Sequence, residues 1–586
     1  MKKKLIRLGA LCLMLCMLLS TLTGCFRSIL QSQFEYLLDD TLVGMASGAE
    51  FSYKNIFANP EKYGLSYTTH QLINPSIVDS VGKVINDKKE LETALSQITA
   101  IGPLSLSKAQ RASYYALRDY LETQIRHADT LDHSSLISPG NGFIANMGIS
   151  FYEYPFDTQK DIEHYLAFLK NIPDALDTVV AYTEKQMKVY GYVVTDYVVE
   201  QNLDYLSKYA SSYSTPFING FNEKMDAIDF LSDSKKDELM DENERIVKET
   251  VIPAFKECSK TIKGWETGEA KPLADYVGGK EYYLYLLEMG SGTQMTPNAM
   301  IEYLEDAYMY YCSVVAGVSE LSIQYYMNNN YGVTINSVEK AIELLRQATL
   351  NNLPYFEDPG CTLSALPSTL SVSGVLAYYL IPQVDGNGKN IVRLNKDEFK
   401  YGNDTQTYID TIAHESYPGH LYQINYWRQN GIHPMISWMN FTPVTEGWAD
   451  FISQRSLKWI GYYREVADII TAEYITSQIL SALADIQVNY KGMTPKELSV
   501  YLGSLIGTES SEDMFKSVYD YVVATPGALI PYAMGFLQVT ELENDVKDAL
   551  GDDYNEMDFY KAYLDAGACS FDTMRKRVFE ELGIKK

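Results

Sequence analysis

Apolar residues recur at helical spacing along most of the chain. The segment 158–172 is typical, and its apolar positions repeat every three or four residues: Ile162, Tyr165, Leu166, Leu169 and Ile172. Thr158 and Asp161 stand before this repeat in the arrangement of a capping box, in which each side chain accepts a hydrogen bond from the other residue's backbone N–H. The pattern predicts an amphipathic helix with one buried face.

Two other helix starts are marked by a threonine that precedes a proline. In Thr296-Pro297 and Thr494-Pro495 the threonine can cap the helix, and the proline takes the first helical position, where its missing N–H costs no hydrogen bond. Strand-like composition is confined to residues 372–382 and 390–395, which flank a glycine-containing turn at 385–388. The sequence therefore predicts a mainly helical protein with a small β-hairpin or sheet.

The first 25 residues have the composition of an export signal. Cations at positions 2, 3, 4 and 7 precede an apolar stretch over 8–19, and Leu-Thr-Gly-Cys closes the segment at Cys25. This arrangement resembles a bacterial lipoprotein signal, which implies cleavage before Cys25 and a lipid on its thiol. The apolar stretch is too short to span a bilayer, and no later stretch has 18 apolar residues. We expect an extracytoplasmic protein that is anchored to the cell membrane by this lipid.

Four segments follow from these patterns. Residues 1–24 are the signal peptide and residues 25–50 a tether. Residues 51–270 form a helical N-terminal lobe, and residues 271–586 form a second helical lobe with the β element and the candidate chemistry.

Composition excludes several classes of protein. A chain of 586 residues with 46% hydrophobic side chains is not disordered. With 49 Lys+Arg against 76 Asp+Glu, its net charge of −27 disfavours a nucleic-acid partner, because binding phosphates requires clustered cations. After export Cys258, Cys312, Cys361 and Cys569 remain, and their spacing leaves both disulfides and free thiols open.

Three of the seven histidines lie between positions 414 and 433, and two of them belong to one motif. His414 and Glu415 precede His420 on one short segment, which is how zinc hydrolases present two imidazoles to a metal and a carboxylate to its water. A spacing of six residues rotates a regular helix by about 600°, so the rings would not share a face. We expect the chain to break at Pro418-Gly419 and return His420 to the same ion.

A second motif follows at residues 445–450. Glu446 and Asp450 lie four residues apart on one predicted helix, whose apolar neighbours indicate burial. A third zinc ligand followed by a carboxylate that orients a ligating histidine has this spacing, so Glu446 would bind the metal and Asp450 would orient His414. The alternative interpretation is that His420 caps a turn and that the two acids are a solvated pair. His433 is interpreted as a surface or capping residue.

The two motifs together, His-Glu-x-x-Pro-Gly-His and Glu-Gly-Trp-Ala, resemble the signature of a large bacterial family of unknown function, mostly secreted proteins and lipoproteins regarded as zincin-like metallopeptidases. Tyr154-Pro155, Gly279 to Tyr283, the 378–395 hairpin, Thr525-Pro526-Gly527 and the 567–577 segment extend the resemblance. It implies a multi-helical zincin-like fold with one zinc ion in a deep cleft.

The resemblance also implies roles for individual residues. His414, His420 and Glu446 would hold the zinc, and Glu415 would be the general base. Tyr532 is the candidate donor to the developing oxyanion, with Tyr378 or Tyr379 as rivals. Apart from the resemblance, a peptide substrate with a free carboxylate would need a guanidinium to receive it, and the candidates near the motifs in sequence are Arg393, Arg428 and Arg455.

The sequence thus favours a lipid-anchored zinc hydrolase that cuts peptide bonds. One alternative is a non-catalytic surface-binding lipoprotein whose metal is structural or absent. Another is a metal-dependent hydrolase of other amides or esters. A glycosidase that uses two carboxylates is disfavoured, because it leaves both motif histidines unexplained.

Overall fold

The computed structural model describes residues 27–211, 215–367, 370, 376–386, 388–395, 408–439, 441–509, 511 and 514–585. Most of them are helical, as the apolar spacing predicts. The three starts singled out above are capped as expected: Thr158 and Thr494 form capping boxes, and Thr296 accepts a hydrogen bond from Ala299 N.

The helices that precede residue 271 carry the labels α1 to α11. They are α1 (27–46), α2 (Ser52–Ile56), α3 (Lys88–Ile101), α4 (Lys108–Arg126), α5 (Phe143–Glu153), α6 (Gln159–Lys170), α7 (Ile172–Tyr190), α8 (Asp196–Tyr209), α9 (Pro216–Ala227), α10 (Asp233–Ile246) and α11 (Ile252–Lys263). A π-helical turn, Val247–Val251, joins α10 to α11.

The helices after residue 271 carry the labels α12 to α24. They are α12 (Gly279–Ser291), α13 (Pro297–Ala316), α14 (Glu320–Met327), α15 (Val338–Asn352), α16 (Ile409–Glu415), α17 (His420–Gln429), α18 (Thr442–Trp459), α19 (Arg464–Asn489), α20 (Pro495–Ile506), α21 (Lys516–Ala524), α22 (Ile530–Leu550), α23 (Glu556–Ala566) and α24 (Phe571–Glu581). Single 3-10 turns lie at Pro60–Tyr63, Pro75–Ser80, Pro103–Ser105, Leu273–Asp275, Pro434–Ser437 and Gly551–Asp553.

One small sheet stands beside the helices. Its strands are β1 (Thr362–Leu366), β2 (Ala377–Leu380) and β3 (Ile391–Asn395), in the order β1-β3-β2. The predicted hairpin is present as the antiparallel pair of β2 and β3, although residues 371–375 lie outside the described residues. The parallel strand β1 was not predicted. Because β3 lies in the middle, one edge of β2 faces away from the sheet.

The helices pack around two large apolar cores. One is built mainly from residues 51–262 and the other mainly from residues 273–578. Residues from both sides of position 271 contribute to each of them: Leu366 and Ala524 pack in the first core, and Ala112 packs in the second.

The segment 25–50 differs from the predicted tether. Residues 27–46 form helix α1, on which Phe34, Leu38, Leu42 and Ala46 are fully buried at four-residue intervals. They pack in a third core with residues of α3, α4 and the Pro434–Ser437 turn. This stretch is therefore part of the folded body. The signal peptide 1–24 and Cys25 lie outside the described residues.

The four cysteines left open by the sequence are free thiols in the structure. Cys258 and Cys569 are buried, Cys361 is half-buried and Cys312 is exposed. Among the described helices, none combines the length and the apolar character that crossing a bilayer requires.

Candidate metal centre

The break between α16 and α17 brings the two motif histidines together. Helix α16 ends at Glu415, and α17 begins at His420 after a cis Tyr417–Pro418 peptide. Gly419 N donates to the carbonyl oxygen of Ala413 at 3.0 Å. A Cβ at Gly419 would lie 1.9 Å from the carbonyl oxygen of His414, so only glycine fits this close approach.

As a result the imidazoles of His414 and His420 face each other. Their ring centroids are 4.6 Å apart, and the ring planes are almost perpendicular at 88°. The break that the Pro-Gly step predicts is present, and it compensates for the six-residue spacing. Both side chains keep a little exposure, 13% and 14%, so the site is accessible from solvent.

Glu446 on α18 completes a group of three ligand atoms. Its Oε2 lies 3.2 Å from Nε2 of His414 and 3.5 Å from Nε2 of His420. The ligand atoms of the three residues all lie within 4.8 Å of one another, and among the described residues this is the one group of three or more His, Cys, Asp and Glu so arranged. Two imidazoles and a carboxylate suit a divalent ion such as zinc.

Two glycines and a tryptophan fix the position of α18. A Cβ at Gly447 would lie 2.5 Å from the carbonyl carbon of Gly535, so α18 and α22 cross in direct backbone contact. Trp448 is fully buried, and its Nε1 donates to the carbonyl oxygen of Pro418 at 3.2 Å. The Glu-Gly-Trp-Ala motif therefore fixes Glu446 against both the chain break and α22.

Asp450 holds His414 from the side opposite Glu446. Its Oδ1 accepts a hydrogen bond from Nδ1 of His414 at 2.8 Å, which is the contact that the four-residue spacing predicts. Burial lowers the pKa of His414, but Asp450 and Glu446 outweigh burial and raise it well above its usual value. Burial also raises the pKa of Glu446, yet the two imidazoles outweigh it and hold this pKa well below its usual value.

Glu415 enters the site beside the metal-ligand group. Its Oε2 accepts a hydrogen bond from the backbone N–H of Tyr379 at 2.9 Å, on the free edge of β2. Burial raises the pKa of Glu415 above its usual value. Its Oε1 accepts no hydrogen bond from any described residue, so this oxygen is available to a water molecule.

Tyr532 lies near His414. Their ring centroids are 6.5 Å apart, and no hydrogen bond of the Tyr532 hydroxyl is found within the described part of the chain. The nearby charge of Glu446 and burial raise the pKa of Tyr532 well above 10, so the hydroxyl stays protonated. It can donate a hydrogen bond to a group that enters the site.

The other tyrosine candidates are engaged within the fold. Tyr378 donates its hydroxyl to Glu153 at 2.8 Å, and the hydroxyl of Tyr379 bonds to Asn390. Only the backbone of Tyr379 reaches the site, through Glu415. Burial and Glu153 raise the pKa of Tyr378 far above its usual value.

The three candidate arginines also have internal partners. Arg393 forms a two-point contact with Glu153 at 2.7 and 2.8 Å. Arg428 donates to the carbonyl oxygens of residues 382–384, and Arg455 pairs with Glu543 at 2.5 Å. Each guanidinium therefore has a partner within the fold, and its contact with a substrate carboxylate stays a prediction.

His433 is a capping residue, as interpreted from its loop-like surroundings. Its Nδ1 accepts a hydrogen bond from Met435 N at 3.2 Å, at the start of the Pro434–Ser437 turn. Its Nε2 lies 3.2 Å from Oδ1 of Asp39 on α1. It does not join the metal-ligand group.

Sequence reasoning missed Tyr474. Its hydroxyl donates to Oδ1 of Asp450 at 2.6 Å, so it extends the chain of contacts that begins at His414. Tyr474 is one of 47 tyrosines and lies inside the long helix α19, where nothing in its neighbours distinguishes it from a packing residue.

Fold and site together define a mainly helical protein with a half-buried His-His-Glu group. The chain belongs to the family described as "Bacterial protein of unknown function (DUF885)", which matches residues 81–310 and 321–578. No curated protein matches it in sequence.

Two solved structures are similar in fold. A candidate lipoprotein from Colwellia psychrerythraea is 16% identical, with a TM-score of 0.73, over 95% of this chain and 100% of that chain. A candidate lipoprotein of unknown function from Shewanella oneidensis is 14% identical, with a TM-score of 0.58, over 93% of this chain and 98% of that chain. At these identities the similarity concerns the fold.

Proposed function

We propose that this protein is a zinc-dependent peptidase of zincin-like architecture, anchored outside the cytoplasm by a lipid on Cys25. The single observation that carries the proposal is the convergence of His414, His420 and Glu446, with Glu415 directly beside them. Three protein ligands leave a position open on a tetrahedral ion, whereas structural zinc sites close all four with protein atoms. This argument favours catalysis over the non-catalytic binding lipoprotein.

A zinc ion held by these three residues would supply Lewis-acid activation of a water molecule and of the substrate carbonyl. Glu415 takes the proton of the attacking water at Oε1, because Oε2 is held by the N–H of Tyr379. The same carboxyl then passes this proton to the leaving amine. The hydrogen bond from Tyr379 fixes the carboxylate in one orientation throughout.

Tyr532 donates its hydroxyl to the oxygen of the substrate carbonyl as negative charge develops there. A phenol with the ordinary pKa of about 10 is protonated at neutral pH. The Tyr532 hydroxyl makes no other hydrogen bond within the described residues. A single donor of this kind contributes about 3 kcal/mol to the transition state. Peptides and other small amides are the substrate class that this chemistry serves.

The decisive experiment measures metal and turnover on the same preparations. We expect about one zinc per chain in the soluble form (residues 26–586) by elemental analysis. A peptide library digested by this protein and read by mass spectrometry should show cleavage. In Glu415→Gln the zinc should remain, while cleavage falls by about three orders of magnitude or more, because the amide cannot accept the water's proton.

Glu257→Gln is the matched control, because Glu257 lies on α11 with its side chain 70% exposed. It should retain both zinc and cleavage. Full activity in Glu415→Gln would reject the assignment of the base. Absence of zinc after purification without chelators would reject the metal centre itself.

A further inference from the structure

The beginning of α1 is attached to the loop that precedes α4. Nε of Arg27 donates to the carbonyl oxygen of Ser105 at 3.1 Å, and Nη2 of Arg27 donates to that of Leu106 at 3.3 Å. Gln31, one turn later, donates to Ser105 as well at 3.1 Å. These contacts hold the N-terminal end of α1 against the Pro103–Ser105 turn.

The proposed lipid attachment point is only two residues before Arg27. Two residues extend the chain by about 7 Å at most. The headgroup layer on each side of a bilayer is about 5–8 Å thick. A lipid on Cys25 would thus hold Arg27, and the Pro103–Ser105 turn bonded to it, at the level of the headgroups.

Two apolar side chains are strongly exposed at this point, beside uncharged polar ones such as Ser28, Ser32 and Gln33. Leu104, in the middle of the turn, is 89% exposed, and Ile29 on the first turn of α1 is 54% exposed. Exposed apolar side chains normally need no explanation when they are scattered singly. Here two of them lie on two segments joined by hydrogen bonds, beside the point where the chain would enter the membrane.

The same two segments are poor in acids, although the chain as a whole carries −27. Residues 27–36 contain one acid, Glu35, and residues 99–108 contain none. Glu35 accepts a hydrogen bond from Gln110 at 2.7 Å. Anionic headgroups repel carboxylates, so this surface can approach a bilayer more closely than an acidic face could.

We propose that the surface formed by residues 27–33 and 103–105 rests on the lipid headgroups of the membrane, with Leu104 directed into the interface. The proposal rests on the lipid anchor at Cys25. Burying one leucine contributes about 1.5–3 kcal/mol, so the patch does not hold the protein on a membrane without the anchor. Its effect is to set which face of the anchored protein meets the bilayer.

An environment-sensitive fluorophore tests this orientation. The full-length lipidated protein carries Cys312→Ser, which removes the exposed thiol, together with Leu104→Cys as the labelling site. It is reconstituted in vesicles of phosphatidylethanolamine and phosphatidylglycerol that contain a lipid-borne quencher. The parent with Cys312→Ser alone provides the labelling blank.

Val277→Cys is the matched control. Val277 is 80% exposed, and its carbonyl oxygen bonds to His133, beyond the C-terminal end of α4. Leu104 precedes the N-terminal end of the same 19-residue helix, which is about 28 Å long. We expect several-fold stronger quenching, and a blue-shifted emission, for the label at 104 than for the label at 277.

Equal quenching at 104 and 277 in protein that floats with the vesicles would overturn the membrane-facing surface and leave the anchor intact. Protein that neither floats nor carries lipid by mass spectrometry would overturn the anchor, and this surface with it. A blue shift at 104 that is equally large without vesicles would indicate contact between copies of the protein, and would also overturn the proposal. Glu415-dependent peptide cleavage can be measured separately on each preparation.

Discussion

Asp450 contacts two side chains, and the orientation of His414 depends on it. A carboxylate can only accept, so Nδ1 of His414 and the hydroxyl of Tyr474 both donate to Oδ1, at 2.8 and 2.6 Å. Because this bond holds a proton on Nδ1, Nε2, which lies 3.2 Å from Oε2 of Glu446, is the nitrogen that would bind the proposed metal. The ring cannot rotate without breaking this bond, so the three residues act as one support for the proposed ligand.

Replacing Tyr474 tests this support. Tyr474→Phe removes one of the two donors to the buried Asp450 and leaves the ring in place. Residues behind a metal ligand typically contribute 10–100-fold to affinity, so we expect zinc to bind about 10-fold more weakly. Competition with a chelating dye measures this affinity independently of turnover.

Tyr326→Phe is the control, because the Tyr326 hydroxyl bonds to Glu473, the residue adjacent to Tyr474 on the surface of α19. Its zinc affinity should equal that of the unmodified protein. Equal affinity in Tyr474→Phe as well would show that His414 is held without Tyr474.

For individual residues, the sequence allows contacts to be predicted between side chains that are close in the chain, and few others. The pairing of Asp450 with the first motif follows from its four-residue spacing to Glu446. Tyr474 is 24 residues beyond Asp450, and its contact depends on how α19 packs. The arginines show the same limit. Their closeness to the motifs in sequence does not determine how close each guanidinium lies to the site in the folded protein.

Asp485 on α19 organises the segment that leads into α22. Its Oδ2 accepts from Gly527 N at 2.9 Å, and its Oδ1 accepts from Tyr283 and Asn489 at 2.8 and 3.0 Å. Burial raises the pKa of Asp485 to about 7. The turn before α22, which carries Tyr532, therefore depends on a buried carboxyl that has no cationic partner within the described residues.

A pH dependence of stability follows from this carboxyl. Its folded-state pKa of about 7 lies above the usual aspartate value of 3.8, so its contribution to stability is fully present below about pH 4 and is lost as pH rises to about 7. Asp485→Asn removes the titration. The free energy of unfolding of the unmodified protein minus that of Asp485→Asn should fall from about pH 4 to about pH 7 and then stay constant, as measured by urea unfolding.

Asp204→Asn controls for the loss of a carboxylate, because the Asp204 side chain on α8 is 55% exposed. Its difference from the unmodified protein should not follow this pH course. A pH-independent difference for Asp485→Asn would mean that the buried carboxyl has its unfolded-state pKa.

Elements with local signals could be predicted, and those fixed by distant contacts could not. The Pro418-Gly419 step predicts the break between α16 and α17, because proline cannot continue the helical hydrogen bonds and glycine adopts backbone angles that other residues avoid. Strand β1 has the sequence Thr-Leu-Ser-Ala-Leu, which carries little strand preference, and it forms only because β3 lies beside it. Helix α1 lies in the segment 25–50, for which the sequence analysis predicts a tether, although Phe34, Leu38, Leu42 and Ala46 recur at helical spacing.

Helix α1 also links distant parts of the whole molecule. Its buried residues share a core with Leu117 of α4 and with Met435 and Met439, which lie between α17 and α18. The N-terminal helix therefore packs against the connection between two helices that carry proposed metal ligands. We expect its packing to contribute to the stability of the entire fold.

Leu38→Ala tests that contribution. Leu38 is fully buried, and truncating a buried leucine to alanine typically costs about 2–5 kcal/mol. The urea midpoint of unfolding, followed by circular dichroism, should fall accordingly. Tyr36→Ala, at a position that is 71% exposed on the same helix, should leave the midpoint nearly unchanged. An unaltered midpoint in Leu38→Ala would mean that α1 detaches before the body unfolds.

The nearness of α1 to the proposed lipid on Cys25 limits how far the protein would move from the membrane. A flexible segment over residues 25–50 would have an end-to-end distance of about 25–30 Å and would let the proposed active site sample a thick shell of solution. Helix α1, which includes residue 27, leaves little of that freedom. A protein with this lipid would move with it in two dimensions, so the proposed peptidase would meet the peptides that diffuse to the cell surface.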